Sequence, residues 1–351
     1  MGLASCAKQR STAASLVDLD GDQDLDLLVN GIATGTRLFL NDGQGSFHES
    51  NQSGLSKTAS PSSMAVADID QDGDLDLYCA HYIDVMHIAD PTTDYALSNR
   101  NGQYVVTHVN GEPTTIPRLK NRFMVSKSGR LRELPETDGL YLNNGQGQFK
   151  PIQFLKGTFN SQNGKPVQPP RDWSLAVMFR DLNQDGSPDI YVCTDNASPD
   201  RIWINNGNGT FNALPPSGIR HTSRSSMGMD AADINRDGID DFFVVDMFAR
   251  SHEKRMTQLA KQHSSSDIIQ HIYGQPRYNR NTLFVGREDG TFSETALMAG
   301  VAATDWSWCP VFLDVDLDGY EDQLVTNGFS FDVMDQDSQD QLRTMQLSKF
   351  D

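Results

Sequence analysis

The stretch from Asp68 to Asp76 reads DIDQDGDLD, five carboxylates in nine positions with no lysine or arginine beside them. Like charges at that density repel one another, so positive charge has to come from outside the chain. Aspartates at positions 1, 3 and 5, a glycine at position 6 and a closing aspartate at position 9 bring oxygen ligands to one point. That is the chemistry of a hard divalent cation. The pattern returns as DLDGDQDLD from Asp18, DLNQDGSPD from Asp181, DINRDGIDD from Asp233 and DVDLDGYED from Asp314.

The side chains expected as ligands are Asp18, Asp20, Asp22 and Asp26 in the first loop and Asp68, Asp70, Asp72 and Asp76 in the second. Asp181, Asn183, Asp185 and Asp189 follow in the third, Asp233, Asn235, Asp237 and Asp241 in the fourth, and Asp314, Asp316, Asp318 and Asp322 in the fifth. At position 7 the backbone carbonyl is the expected ligand whatever the side chain, from Asp24, Asp74, Ser187, Ile239 and Tyr320. Calcium accepts about 6–8 oxygens, whereas magnesium keeps its waters, so up to five Ca2+ ions are expected. Acidic turns without metal are the alternative, but five copies with one spacing favour the ion. No recurrent nucleophile or base accompanies the loops, so the ion is expected to be structural and no catalytic residue is assigned. Gln23 stands where the other four loops have glycine, which makes the first loop the weakest expected site.

Each loop lies between two short apolar runs, such as MAVA before and LDLYCA after the second copy. A third element ends in a glycine turn and an aromatic: RLFLNDGQGSF, GLYLNNGQGQF, RIWINNGNGTF and TLFVGREDGTF. Runs rich in β-branched and aromatic residues, bounded by Asn, Asp and Gly, read as strands joined by hairpin turns. Asp18 to Asp68 is 50 residues and Asp181 to Asp233 is 52. Four strands at that period predict an all-β chain of propeller blades. The longer spacings, 113 from Asp68 to Asp181 and 81 from Asp233 to Asp314, imply insertions over about residues 81–138 and 246–279. Blades are therefore expected over residues 1–330, about five of them, with a helical segment over 331–351 that includes Met334–Ser348.

The formal net charge of −18 and pI near 4.7 argue against nucleic acid or an anionic membrane surface as partner. No apolar run approaches the ~18 residues that span a bilayer, so membrane insertion is not expected. Five divalent ions would bring the formal charge to about −8. Cys6, Cys79, Cys193 and Cys309 are far apart and read as buried free thiols.

The first insertion carries a hairpin signal, YVVTHVNGEPTTI, followed by Arg118, Lys120, Arg122, Lys127, Arg130 and Arg132. In an acidic protein these six could form a docking patch for an acidic glycan or partner, or only offset the nearby aspartates. His81 and His87 sit near a loop end of a blade and read as surface residues. In the second insertion Ser251–Gln262 reads as a short helix opening on a serine.

The five loops, the N-x-G-x-G-x-F elements and the stretches Ser225–Met247 and Trp306–Asp322 together resemble the FG-GAP/VCBS repeat proteins with integrin-α-type propellers. Within that group the chain is most similar to the cartilage acidic protein 1 family, associated with the ASPIC/UnbV domain. The resemblance implies a seven-bladed propeller with calcium in its blade loops, of which the five blades expected here would be an incomplete set. It also implies extracellular, cell-surface or periplasmic placement and non-enzymatic binding of a protein or glycan. Calcium propellers also carry polysaccharide lyases, and a calcium-dependent polysaccharide lyase or hydrolase is the alternative expectation. A lyase needs Tyr or His together with basic side chains in one concave pocket.

Overall fold

The computed structural model describes residues 5–83, 87, 90, 92–126, 129, 131–154, 157–168, 171–195, 199–259, 270–272, 275–328, 335–338 and 340–341. The chain divides into two compact units, Met1–Val177 with Gly207–Thr210 and Met178–Asn206 with Phe211–Asp351.

The first unit holds two four-stranded antiparallel sheets. One runs through Ser11–Val17, Asp26–Gly31, Gly35–Leu40 and His48–Glu49 in chain order. In the other, Pro61–Ala67, Asp76–His81, Gly139–Leu142 and Lys150–Pro151 are neighbours in that order. In each, the Asp loop is the turn between the first two strands, and its ninth residue opens the second strand: Val17 pairs with Asp26 and Ala67 with Asp76. Every residue of Asp76–His81 is buried, as a central strand covered on both faces must be. Leu19, Leu28, Leu38, Leu55, Leu77, Cys79, Tyr141 and Phe149 form one core that joins the two sheets.

The strand Trp173–Arg180 spans the boundary between the units, and Asp189–Asp195, Arg201–Asn205 and Phe211–Ala213 continue its sheet. Gly228–Ala232, Asp241–Val245, Thr282–Gly286 and Phe292–Glu294 form the next four-stranded sheet. In the fifth copy Asp305–Leu313 pairs with Asp322–Asn327, and Met247–Phe248 joins as a third strand. The fold is all-β and of propeller type, a four-stranded blade repeated along the chain.

Both insertions build small structures of their own. Tyr95–Arg100, Gln103–Val109 and Glu112–Pro113 make a three-stranded sheet, and Phe123–Val125 pairs with Leu131–Glu133. Val106, Val109, Leu119 and Val125 form its core. The expected hairpin turns at Asn110 and Gly111, whose φ values of 49° and 80° are those a tight two-residue turn demands. In the second insertion a helix covers His252–Leu259, with Ser251 Oγ accepting the Lys254 N–H at 3.2 Å as a cap. The rest of the expected Ser251–Gln262 helix lies outside the described residues. So does most of Met334–Ser348, of which 336–338 and 340–341 are helical. The sequence also carries no sign that Thr222–Ser223 pairs in parallel with Gln275–Tyr278. Of the four free thiols, Cys79 and Cys193 are buried as expected, whereas Cys309 is exposed and Cys6 half-buried.

The five loops share one backbone path with two left-handed residues, at positions 4 and 6. In four copies position 6 is a glycine, Gly73, Gly186, Gly238 or Gly319, at φ 84–94°. Position 4 is then Gln71, Gln184, Arg236 or Leu317, at φ 60–62°. The first copy exchanges the two roles: Gly21 takes position 4 at φ 78° and Gln23 position 6 at φ 74°. Gln23 therefore leaves the loop path intact. A side chain in this region costs about 1–2 kcal/mol. A Cβ on Gly73 would meet no atom within 4 Å, so Gly73→Ala reads the backbone strain alone. Denaturant unfolding should show Gly73→Ala destabilised by about 1–2 kcal/mol and Gln23→Gly not destabilised.

Candidate functional site

The loops are built from their own aspartates. At position 1 both carboxylate oxygens accept backbone N–H groups: Asp68 from Asp72 and Gly73, at 3.1 and 3.0 Å. Asp181, Asp233 and Asp314 repeat these bonds, and Asp18 accepts from Gly21 and Gln23 instead. The position 5 carboxylates of Asp22, Asp72, Asp185, Asp237 and Asp318 each accept the N–H of position 7, from Asp24, Asp74, Ser187, Ile239 and Tyr320. At position 9, one oxygen of Asp26, Asp76, Asp189, Asp241 and Asp322 accepts the N–H of loop residue 2. The other oxygen of the first four reaches the N–H just beyond or at the end of the third strand, on Asn41, Asn143, Asn205 and Gly286.

Position 3 differs between copies. Asn183 and Asn235 donate their amides to Asp185 and Asp237 at 2.9 Å. Where position 3 is aspartate, carboxylate oxygens crowd together: Asp18, Asp20 and Asp22; Asp68, Asp70 and Asp76; and Asp314, Asp316 and Asp322 each offer oxygens lying within 4.8 Å of one another. Asp20 Oδ1 and Asp70 Oδ1 are buried and receive no hydrogen bond. Burial, then Asp26 and Asp22, raises the Asp20 carboxyl above its ordinary range; burial, then Asp72, does the same to Asp70. Burial pushes Asp76 and Asp189 up to about 7 and Asp241 to about 6, against two N–H bonds apiece that favour ionisation. A divalent ion would relieve this arrangement and supply the buried oxygens with a partner, so the donor set fits one.

The FG-GAP-like repeat family matches residues 18–79 and 181–244, each running from one Asp loop through the next and the start of the strand after it. The chain carries FG-GAP-like repeats. A comparison with curated proteins finds no match. Among solved structures, an Agrocybe aegerita lectin that recognises non-reducing terminal N-acetylglucosamine is 15% identical, with TM-score 0.33 over 91% of this chain and 75% of that one. A Trypanosoma rangeli sialidase is 8% identical, with TM-score 0.32 over 91% and 52%. The V. cholerae biofilm matrix protein Bap1 is 9% identical, with TM-score 0.31 over 94% and 68%. The fold assignment rests on the blades and the FG-GAP-like repeats rather than on these distant likenesses.

A second buried carboxylate, absent from the sequence expectations, fastens two of the repeats. Asp138 accepts from Tyr78 Oη at 2.9 Å, the His81 N–H at 2.7 Å and Ser174 Oγ at 2.9 Å. Asp200 accepts from Tyr191 Oη, the Thr194 N–H and Ser226 Oγ at 2.8–2.9 Å. The signal available in the sequence is a polar residue two positions before the apolar pair of the third strand: Thr36, Asp138, Asp200 and Asn281.

His81 is buried, held neutral by desolvation, with Nδ1 at 2.5 Å from the Thr137 carbonyl. His87 is buried too, with Nδ1 3.0 Å from Glu133 and its ring edge-on to Phe123. Neither is the surface residue that its position suggested, because the first insertion folds over both. Of the six basic residues, Arg118, Lys120 and Arg122 line one cavity of about 180 Å³ together with Arg171, Glu136, Thr58, Ala59 and Thr137. Arg132 is exposed and does not line it, while Lys127 and Arg130 lie outside the described residues.

Burial pushes Asp138 and Asp246 up to about 7 and Asp200 to about 6. The unfolded chain loses these protons near 3.8, so the folded state holds more protons between there and about 7, and stability falls as pH rises through that window. His81, with its folded value below 6.5, acts in the opposite direction. Comparing slopes separates the two: in chelator, the loss of unfolding free energy between about pH 5 and pH 8 should be smaller in Asp138→Asn than in the unaltered protein. Equal slopes would show that Asp138 is ionised throughout.

Proposed function

We propose that this protein is a calcium-stabilised propeller that binds a protein or glycan outside the cytoplasm and performs no chemistry itself. The observation that carries the calcium part is the pair of buried, donorless oxygens, Asp20 Oδ1 and Asp70 Oδ1, inside clusters of like charge. In each loop the ion would be held by the carboxylates or amide oxygens at positions 1, 3, 5 and 9, with the position 7 carbonyl. What it supplies there is charge neutralisation and a cross-link between the two ends of a hairpin. The proposed placement is at a cell surface, outside the cell or in the periplasm, where helical calcium loops hold the ion with dissociation constants of about 0.1–1 mM. The stretches Ser225–Met247 and Trp306–Asp322 support a place near the cartilage acidic protein 1 family.

Five similar loops are fastenings, which leaves recognition to what is unique along the chain, the insertions. The polysaccharide-lyase reading asks for a base among the cations of a cavity. The described lining of the cationic cavity contains neither histidine nor tyrosine, and His81 is buried and hydrogen-bonded to the Thr137 carbonyl. Binding is therefore the function we favour.

Calorimetric titration of metal-free protein with calcium should resolve several binding events, and melting should move to markedly lower temperature in chelator. Asp70→Asn should weaken one event and leave the others. A melting temperature indifferent to chelator would sink the calcium reading.

A further inference from the structure

The first insertion, together with Thr58, Ala59 and Arg171, closes a cavity whose charge is opposite to that of the chain. Arg118, Lys120, Arg122 and Arg171 line it beside a single carboxylate, Glu136. Two of the cations are already committed elsewhere: Arg118 to Glu112, and Arg122 to the buried Glu133 at 3.0 Å. Glu136 is pinned by the Ser60 N–H, which it accepts at 2.7 Å. Lys120 and Arg171 have no carboxylate at ion-pair distance among the described residues. Arg171 is the more telling of the two. Its guanidinium is half-buried, with the Pro135 carbonyl accepting at 3.3 Å. Burial, then the neighbouring Arg122, pushes its pKa below the usual guanidinium range, only partly offset by Glu136. A half-buried guanidinium beside a second one is an expense in the empty protein that an anion removes.

We propose that this cavity receives the carboxylate or sulfate group of an acidic saccharide, with Arg171 and Lys120 as its principal partners. The proposal rests on the binding function above and names the site and the ligand chemistry. A volume of about 180 Å³ is below the roughly 300–1,000 Å³ of pockets that enclose whole small molecules, so it suits the charged group of a longer ligand. Arg171 offers a planar fork matched to an oxyanion, and Thr58 and Thr137 place hydroxyls in the same lining. A saccharide rather than an acidic peptide is favoured by the wall beside it. Trp173, two residues on from Arg171, packs its ring at 4.9 Å against Tyr82, and the Tyr82 carbonyl accepts the N–H of Glu136. Both rings are half-buried and lie outside the cavity lining itself, and the proposal places the sugar ring that carries the charged group against them.

The test uses the full chain loaded with calcium, titrated in about 0.15 M salt with three probes of matched length: oligogalacturonate, a sulfated galactan oligosaccharide and a neutral galactan oligosaccharide. At least one acidic probe should bind about tenfold or more tightly than the neutral one. Arg171→Gln and Lys120→Glu should each weaken it about tenfold with melting temperature and calcium uptake unchanged. Those controls matter because calcium bound to surface aspartates can bridge a polyanion; binding that survives both substitutions but vanishes in chelator would be such a bridge and would overturn the proposal. Neutral and acidic probes bound equally, and equally by the variants, would overturn the cavity assignment while leaving the protein a binding module. Binding of inorganic sulfate with no binding of either acidic saccharide would overturn the saccharide. No binding of any probe would remove both the cavity assignment and the glycan half of the proposed function.

Discussion

The ninth-position aspartate is the point on which each complete blade turns. Asp26, Asp76, Asp189 and Asp241 are almost wholly buried, and each ties three pieces of chain together: the loop entrance, the start of the second strand and the end of the third. A neutral side chain with one acceptor could not serve two N–H groups in these directions, so a carboxylate is needed where burial penalises its charge. The further aspartates of the loop add to that penalty at Asp76, Asp189 and Asp241. Asp322 is exposed and keeps its bond to the Val315 N–H, and Val315 at loop position 2 is 62% exposed where Leu19 and Ile69 are 1% and 0%.

Asp138 and Asp200 extend the same logic from the loop end of a blade to its other end. Each sits just before a third strand and collects a tyrosine hydroxyl and a backbone N–H from the second strand, and a serine hydroxyl from the following repeat, Ser174 within its first strand and Ser226 two residues before it. Neighbouring repeats are thus joined by directional polar bonds as well as by apolar contact. A hydrophobic interface alone would tolerate slippage, whereas three donors converging on one buried carboxylate fix a single register.

The repeat was legible because its spacing is dictated locally. Positions 1 to 9 of a loop bond mainly to one another, so the sequence around Asp68 or Asp233 contains nearly everything that shapes it. Gln23 at position 6 also has a local explanation: the two left-handed positions can exchange their glycine, and a template with glycine only at position 6 misses Gly21 at position 4. What could not be read were contacts made over long separations. His81 and His87 looked exposed because nothing near them in sequence announces that Glu133 and Thr137 will cover them. Arg171 belongs to no basic run and joins the cavity only because the chain returns to the first insertion after the rest of the second blade.

That return divides the electrostatic labour of the chain. Aspartates gathered in repeated turns carry much of the chain's formal charge of −18 and leave the surface acidic enough to repel an anionic ligand approaching at random. An anion can then be favoured only where several cations converge at short range and part of their solvent has been removed, since a pair in partly buried surroundings is screened far less than one at the surface. The cavity around Arg171 meets both conditions. Its guanidinium is half-desolvated by the fold before any ligand arrives, so part of the desolvation that binding demands has already been met by folding, and the long-range repulsion of the loops sharpens selection toward ligands that fill the cavity.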